Sequence, residues 1–390
     1  MVSEAIINPA MMIWARRYAG FIEEYEELLP GYIKKHYKLW ENGEKYPTWN
    51  QLRQVSNKYN VPTAFFFMEN EPNFDDLPTL INFRKITPDN YKNESPELMK
   101  EIRKSEHRRE IYLDLLFELD EPIPKFEVIE ESKSRKKVVK YIREKLGISL
   151  DEQKSWIRKN KSLDKEHYNF LNKWKELITE KMGILIFETD GVILEEMRGL
   201  CIFHEEIPII LLNGKDTTNG RIFSLFHELT HLLLGESAIC ENNELSDEEI
   251  FCNAVAGEFL VPTDDLNNNT NIISTDSINE LSHLYGVSTH VILRRLYDTH
   301  NISHNEYNSR IETLKEFSTS NSKGSGGNYF NNVIKYNSES YCAIVLEAYE
   351  NGIINSGEFF KFTNLKKKYI PDLQKRVYGV MKNEQISNDL

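Results

Sequence analysis

The chain has 390 residues, of which 40% are hydrophobic and 28% charged, with a formal net charge of -13. That length suits two or three domains, and that composition excludes a largely disordered or fibrous chain. The acidic balance excludes a surface coated for non-specific nucleic-acid binding, although one small domain can still bind DNA. No apolar run approaches the roughly 18 residues that cross a bilayer, Ile207–Leu212 being among the longest. The N-terminal residues lack the basic-then-apolar layout of a signal peptide. Four scattered cysteines with no Cys-x-x-Cys pair argue against a disulfide framework or a thiolate zinc site. A cytoplasmic protein with no membrane partner is expected.

Residues 1–70 predict a compact helical unit. Met11–Tyr18 and Tyr25–Leu29 have helical apolar spacing, Pro30-Gly31 punctuates them, and a basic segment follows from Tyr32 to Trp40. Thr48 is placed to cap a helix over Trp49–Tyr59 that stops at Asn60-Val61-Pro62. Residues 71–182 read as a Pro- and Asp-rich linker followed by charged helices, including Lys136–Leu146 and Asn169–Lys181. The texture changes at Gly183. Ile184–Phe187 and Ile207–Leu212 read as short strands, Arg221–Leu234 as a helix with Gly235 just past its end, and Asp247–Val261 as a second helix. Asn267–Thr270 reads as a polar loop and Ile278–Leu296 as a further helix. Residues 183–317 are taken as the core domain, Ser318–Gly327 as a linker, and 328–390 as a small helical module.

The chemistry concentrates in His227-Glu228-Leu229-Thr230-His231. On a helix, positions i and i+4 share one face, so both imidazoles can reach one metal ion. Ile222, Leu225, Phe226, Leu229, Leu232 and Leu233 form an apolar stripe that leaves the histidines and Glu228 on another face. Two imidazoles do not complete a catalytic zinc site, which usually has three protein ligands and a water. Candidates for the third are Glu236, Glu241, Glu244, Glu248, Glu249 and Glu258. The stretch from Glu236 to Asp265 holds nine acidic residues and no Lys or Arg, so charge alone does not choose among them. Glu248 and Glu249 open the next helix, where a side chain can point back at the first. Arg295 is a weak candidate for a transition-state or substrate contact against the alternative of a structural ion pair. His204 reads as a surface histidine.

Phe223-Ser-Leu-Phe-His-Glu-Leu-Thr-His231 followed by Glu249-Ile-Phe-Cys-Asn-Ala-Val-Ala-Gly-Glu-Phe-Leu-Val-Pro262 resembles the ImmA/IrrE family of zinc metallopeptidases over roughly residues 183–300. The resemblance implies an α+β fold with a zincin-like domain, built of a small sheet and the His-Glu-x-x-His helix. It also implies that Glu249 is the third zinc ligand, with Glu248 the neighbour to test against it. This chain departs from the family pattern at Thr230 (for Gly), Cys252 (for Ala) and Val255 (for Phe). Residues 1–85 resemble the Xre-like helix-turn-helix often fused ahead of this family, through Trp14-Ala-Arg, Trp40-Glu-Asn-Gly-Glu, Pro47-Thr, Gln51-Leu and Phe83-Arg. Lys34, Lys35 and Lys38 are then candidate DNA contacts, but residues 1–70 carry eight basic against eight acidic side chains, without the surplus a DNA-reading domain normally brings.

The expected activity is a zinc-dependent endopeptidase of narrow specificity. His227, His231 and Glu249 would hold the metal and Glu228 would act as general base. Family members often cleave or antagonise helix-turn-helix repressors and antitoxins, so such a regulatory protein is the expected partner. The strand at Ile207–Leu212 is expected to receive substrate by edge pairing. The alternative is a DNA-binding regulator or toxin–antitoxin component in which the zincin domain is a sensor or scaffold.

Overall fold

The computed structural model describes residues 4–72, 95–129, 134–157, 163–235, 238–239, 247–269, 274–318 and 328–378. Most of the two expected linkers, and the candidate ligands Glu236, Glu241 and Glu244, lie outside the described residues, as does Phe83-Arg84. Residues 1–107 and 108–390 form two compact units. The helical segment expected between the domains is therefore divided between them, and the C-terminal module belongs with the second.

In the first unit, Asn8 caps α1 (Pro9–Tyr18), its side chain accepting from the Ala10 amide. A 3-10 turn over Glu23–Leu28 follows. The basic segment then forms two short helices, α2 (Gly31–Lys34) and α3 (Tyr37–Glu41), interrupted at Lys35-His36. Thr48 caps α4 (Trp49–Tyr59) in a reciprocal capping box with Gln51, and Asn60 ends it in the left-handed region at φ 53°. Met11, Met12, Ala15, Leu52, Val55 and Phe66 close around one core. The next helix in the chain is α5 (Pro96–Glu118).

The second unit contains α6 (Arg135–Leu146), α7 (Leu150–Ile157) and α8 (Leu163–Met182), then β1 (Leu185–Thr189), β2 (Gly199–Ile202) and β3 (Ile209–Asn213). After these come α9 (Thr218–Leu233), β4 (Ala238–Ile239), α10 (Asp247–Leu260), α11 (Thr263–Asn269), α12 (Thr275–Tyr285), α13 (Thr289–Asp298) and α14 (His304–Ser318). The C-terminal helices are α15 (Tyr329–Asn337), α16 (Glu339–Glu350), α17 (Ser356–Thr363) and α18 (Ile370–Tyr378). The architecture is mostly helical with one small sheet, an α+β arrangement.

Several boundaries differ from the sequence reading. Ile278–Leu296 is two helices, because Gly286 takes φ 68° as the left-handed end of α12 and Ser288 caps α13. Most of the expected polar loop at Asn267–Thr270 belongs to α11, held by buried Leu266. The sheet order is β1-β3-β2-β4, with β1 parallel and β2 antiparallel to β3. β3 is therefore internal, with backbone partners on both sides, and it cannot accept a substrate strand by edge pairing. Among the described strands, the edges are β1 and β4.

The helices α8, α9 and α10 are locked by aromatic side chains. Phe226 stacks on Phe259 at 4.3 Å between ring centroids, and Trp174 meets both edge-on at 5.0 and 5.6 Å. Such pairs contribute about 0.5–1.5 kcal/mol each beyond their burial. Their effect here is positional, since they set the C-terminal end of α10 against α8 and α9.

Candidate metal centre

Thr217 caps α9 by accepting from the Gly220 amide. The helix is not amphipathic in its surroundings, as its apolar stripe suggested. From Arg221 to Leu233 every residue but Phe223 is buried, including His227, Glu228, Thr230 and His231. Burial all round marks a helix through the middle of a domain. The Thr230 hydroxyl is absorbed by donating to the Phe226 carbonyl at 2.8 Å. Gly235, with φ 77°, follows the last turn and donates to the Leu232 carbonyl.

One turn of α9 brings the two imidazoles together, with their Nε2 atoms 3.1 Å apart. From α10, the Glu249 carboxylate faces both: Oε2 lies 3.2 Å from His227 Nε2 and Oε1 3.2 Å from His231 Nε2. Among the described residues this is the one cluster of three such groups whose donor atoms lie within 4.8 Å of one another. A tetrahedral zinc ion with ligand bonds near 2.0 Å separates its ligand atoms by about 3.3 Å. The Nε2–Nε2 separation of 3.1 Å is close to that spacing, a different carboxylate oxygen of Glu249 lies 3.2 Å from each Nε2, and two imidazoles with one carboxylate form a donor set that zinc accepts. The residues present fit the metal.

Without a metal ion, the charges of the cluster act strongly on one another. Burial would lower the His231 pKa, but hydrogen bonds to Cys252 and Glu249 and the charge of Glu228 outweigh it and push the imidazole up to about 11. Burial would raise the Glu249 carboxyl, yet His227 and His231 hold it far below the usual carboxylate range. The two shifts have a common source, the mutual pairing of the imidazole with the carboxylate.

Glu228 is fully buried beside this cluster. Its carboxylate lies against the backbone of Gly199, the first residue of β2, where an added Cβ would come within 2.9 Å of Glu228 Cγ and closer still to the carboxylate. A glycine at the start of that strand makes the room that the acid occupies. Sequence reasoning gave Gly199 no role, and only a contact between elements reveals one.

The remaining candidates fall elsewhere. Glu248 binds the other nitrogen of His231, Nδ1, at 2.9 Å. Glu258 sits nine residues after Glu249, roughly 13 Å along α10 at 1.5 Å per residue, and accepts from Arg295 at 2.6 Å and from Thr263 at 2.7 Å. Arg295 is 2% exposed and also donates to the Val261 carbonyl and Thr263. Its guanidinium holds the end of α10 against α13, the structural alternative to the oxyanion contact. His204, expected at the surface, is buried. In the first unit, Lys34 pairs with Glu27, and Lys38 lies 3.7 Å from Glu26 and over the Tyr37 ring. Lys35 is exposed.

No helix among the described residues is long and apolar enough to cross a membrane. No curated protein and no solved structure matches the chain. Residues 179–297, the segment that carries the sheet, α9 and α10, match the peptidase M78 family model, the IrrE N-terminal-like domain, which supports an ImmA/IrrE metallopeptidase domain there.

Proposed function

We propose that the protein is a zinc-dependent endopeptidase of narrow specificity that cleaves or inactivates a regulatory protein such as a helix-turn-helix repressor or antitoxin. The observation that carries this reading is the cluster of His227, His231 and Glu249 donor atoms with buried Glu228 beside it. A purely structural zinc site has no need of that fourth group.

Bound zinc would supply Lewis acidity and lower the pKa of a water toward neutrality. His227, His231 and Glu249 would hold it, and the dry surroundings of α9 would strengthen every charge interaction there. Glu228 takes the proton from the attacking water and returns it to the leaving amine, a transfer worth about 10²–10⁴-fold in rate. Its seat against Gly199 fixes the direction from which the carboxylate works.

For the N-terminal unit we propose docking to the protein partner in preference to DNA reading. Two of its three candidate lysines already face Glu26 and Glu27, and the basic and acidic side chains of residues 1–70 balance. The test of the main reading is E228Q with the candidate partner protein. The expected result is one zinc per chain, as in the unaltered protein, with cleavage of the partner abolished; undiminished cleavage would remove the peptidase reading.

A further inference from the structure

We propose that Glu248 is a positioning residue that orients His231 and fixes its tautomer for metal binding. This rests on the metal-centre reading above and adds to it a residue that does not bind the ion. The two nitrogens of an imidazole point to opposite sides of the ring, and consecutive residues on a helix point about 100° apart. α10 uses both facts: Glu249 meets His231 Nε2 at 3.2 Å and Glu248 meets Nδ1 at 2.9 Å, so adjacent carboxylates flank one ring. A neutral histidine that offers the Nε2 lone pair carries its proton on Nδ1, and that proton needs an acceptor. Glu248 Oε1 is an acceptor at hydrogen-bond distance from Nδ1. A carboxylate there also raises the basicity of the ligating nitrogen. The side chain of Glu248 is 39% exposed while that of His231 is 1% exposed, so Glu248 can be altered at the surface without opening the core around the ring.

The experiment is a zinc competition titration of the full chain against a chromophoric chelator, comparing the unaltered protein with E248A, E248Q and H231A. E248A should weaken zinc binding about 10–100-fold. E248Q, whose amide oxygen still accepts the Nδ1 proton, should recover most of that loss. The thermal unfolding midpoint of the metal-free protein should be the same for E248A as for the unaltered chain, because the role is exerted on the ring and not on the fold. Unchanged zinc affinity in E248A overturns the proposal. So does complete loss of metal in both E248A and E248Q, matching H231A, since Glu248 would then be a ligand. An unaltered chain that takes up no zinc ends the metal-centre reading itself, and this inference with it.

Discussion

At the scale of single residues, the candidate site depends on which atoms an added or missing group would touch. Gly199 is the clearest case, because its lack of a Cβ makes the space for Glu228. G199A should push the carboxylate off the strand, lowering peptide hydrolysis by an amount approaching the roughly 10²–10⁴-fold worth of a general base. Zinc content should stay at the level of the unaltered protein, because His227, His231 and Glu249 are untouched. Hydrolysis of the partner at the original rate would show that Glu228 does not need that seat. The spacing His227-x-x-x-His231 was legible without any structure, since the period of a helix places both rings on one side. Glu249 was not separable from Glu248 on charge; the family resemblance pointed to Glu249, and the structure sets its carboxylate against both Nε2 atoms and that of Glu248 against Nδ1 of His231.

Elements carry the next level of argument, chiefly in how α10 is held. Its first turn brings Glu248 and Glu249 to α9, and its far end is anchored by the Glu258–Arg295 pair at 2.6 Å. Gly257 belongs to that anchor, since an added Cβ would lie 2.9 Å from Arg295 Cδ. Removing one partner from a buried pair strands the other, at a cost of about 3–5 kcal/mol. R295A should therefore lower stability toward chemical denaturant by that order, while kcat/KM per folded molecule stays close to the original value. A large fall in kcat with stability unchanged would instead put Arg295 in contact with substrate. Helix existence was readable from apolar period and caps, as at Thr48 and α4. The break at Gly286 and the helix over Asn267 were missed because period alone does not register one left-handed residue or the burial of Leu266.

On the scale of the whole second unit, the C-terminal helices are part of the structure that carries the sheet. Tyr341 meets Phe187 of β1 edge-on at 6.0 Å, and Arg108 donates to the Tyr336 carbonyl and to Asn337. Lys335 of α15 donates to the Gly214 carbonyl at 2.9 Å and lies 3.7 Å from Glu188, which also pairs with Lys175 and Arg221. Burial would raise the Glu188 carboxyl, but these three cations hold it below its ordinary value. A carboxyl whose folded pKa is depressed adds stability above its unfolded value, about 4.3. That stability is lost as the pH falls through the lower folded value. E188Q should cost about 3–5 kcal/mol at pH 7 by leaving buried cations unmatched, and the gap to the unaltered chain should close as the acid itself becomes protonated. Denaturant unfolding from pH 7 down to pH 3 checks this; a gap that does not narrow would mean that the charge of Glu188 is not what the cluster requires.

By itself the sequence determined the helices with strong periods and caps, the strands β1 and β3 as short apolar runs, and the pairing of two histidines with an adjacent acid. Each of those depends on neighbours within a few residues, where backbone geometry alone fixes the spacing. Tertiary structure decided the rest: that β3 is internal and so closed to a substrate strand, that α9 is buried on every side, that Arg295 is held by Glu258, and that Gly199 is the floor under Glu228. These facts join residues that lie far apart along the chain. They follow from which surfaces pack together, a matter of shape and burial that no local pattern encodes.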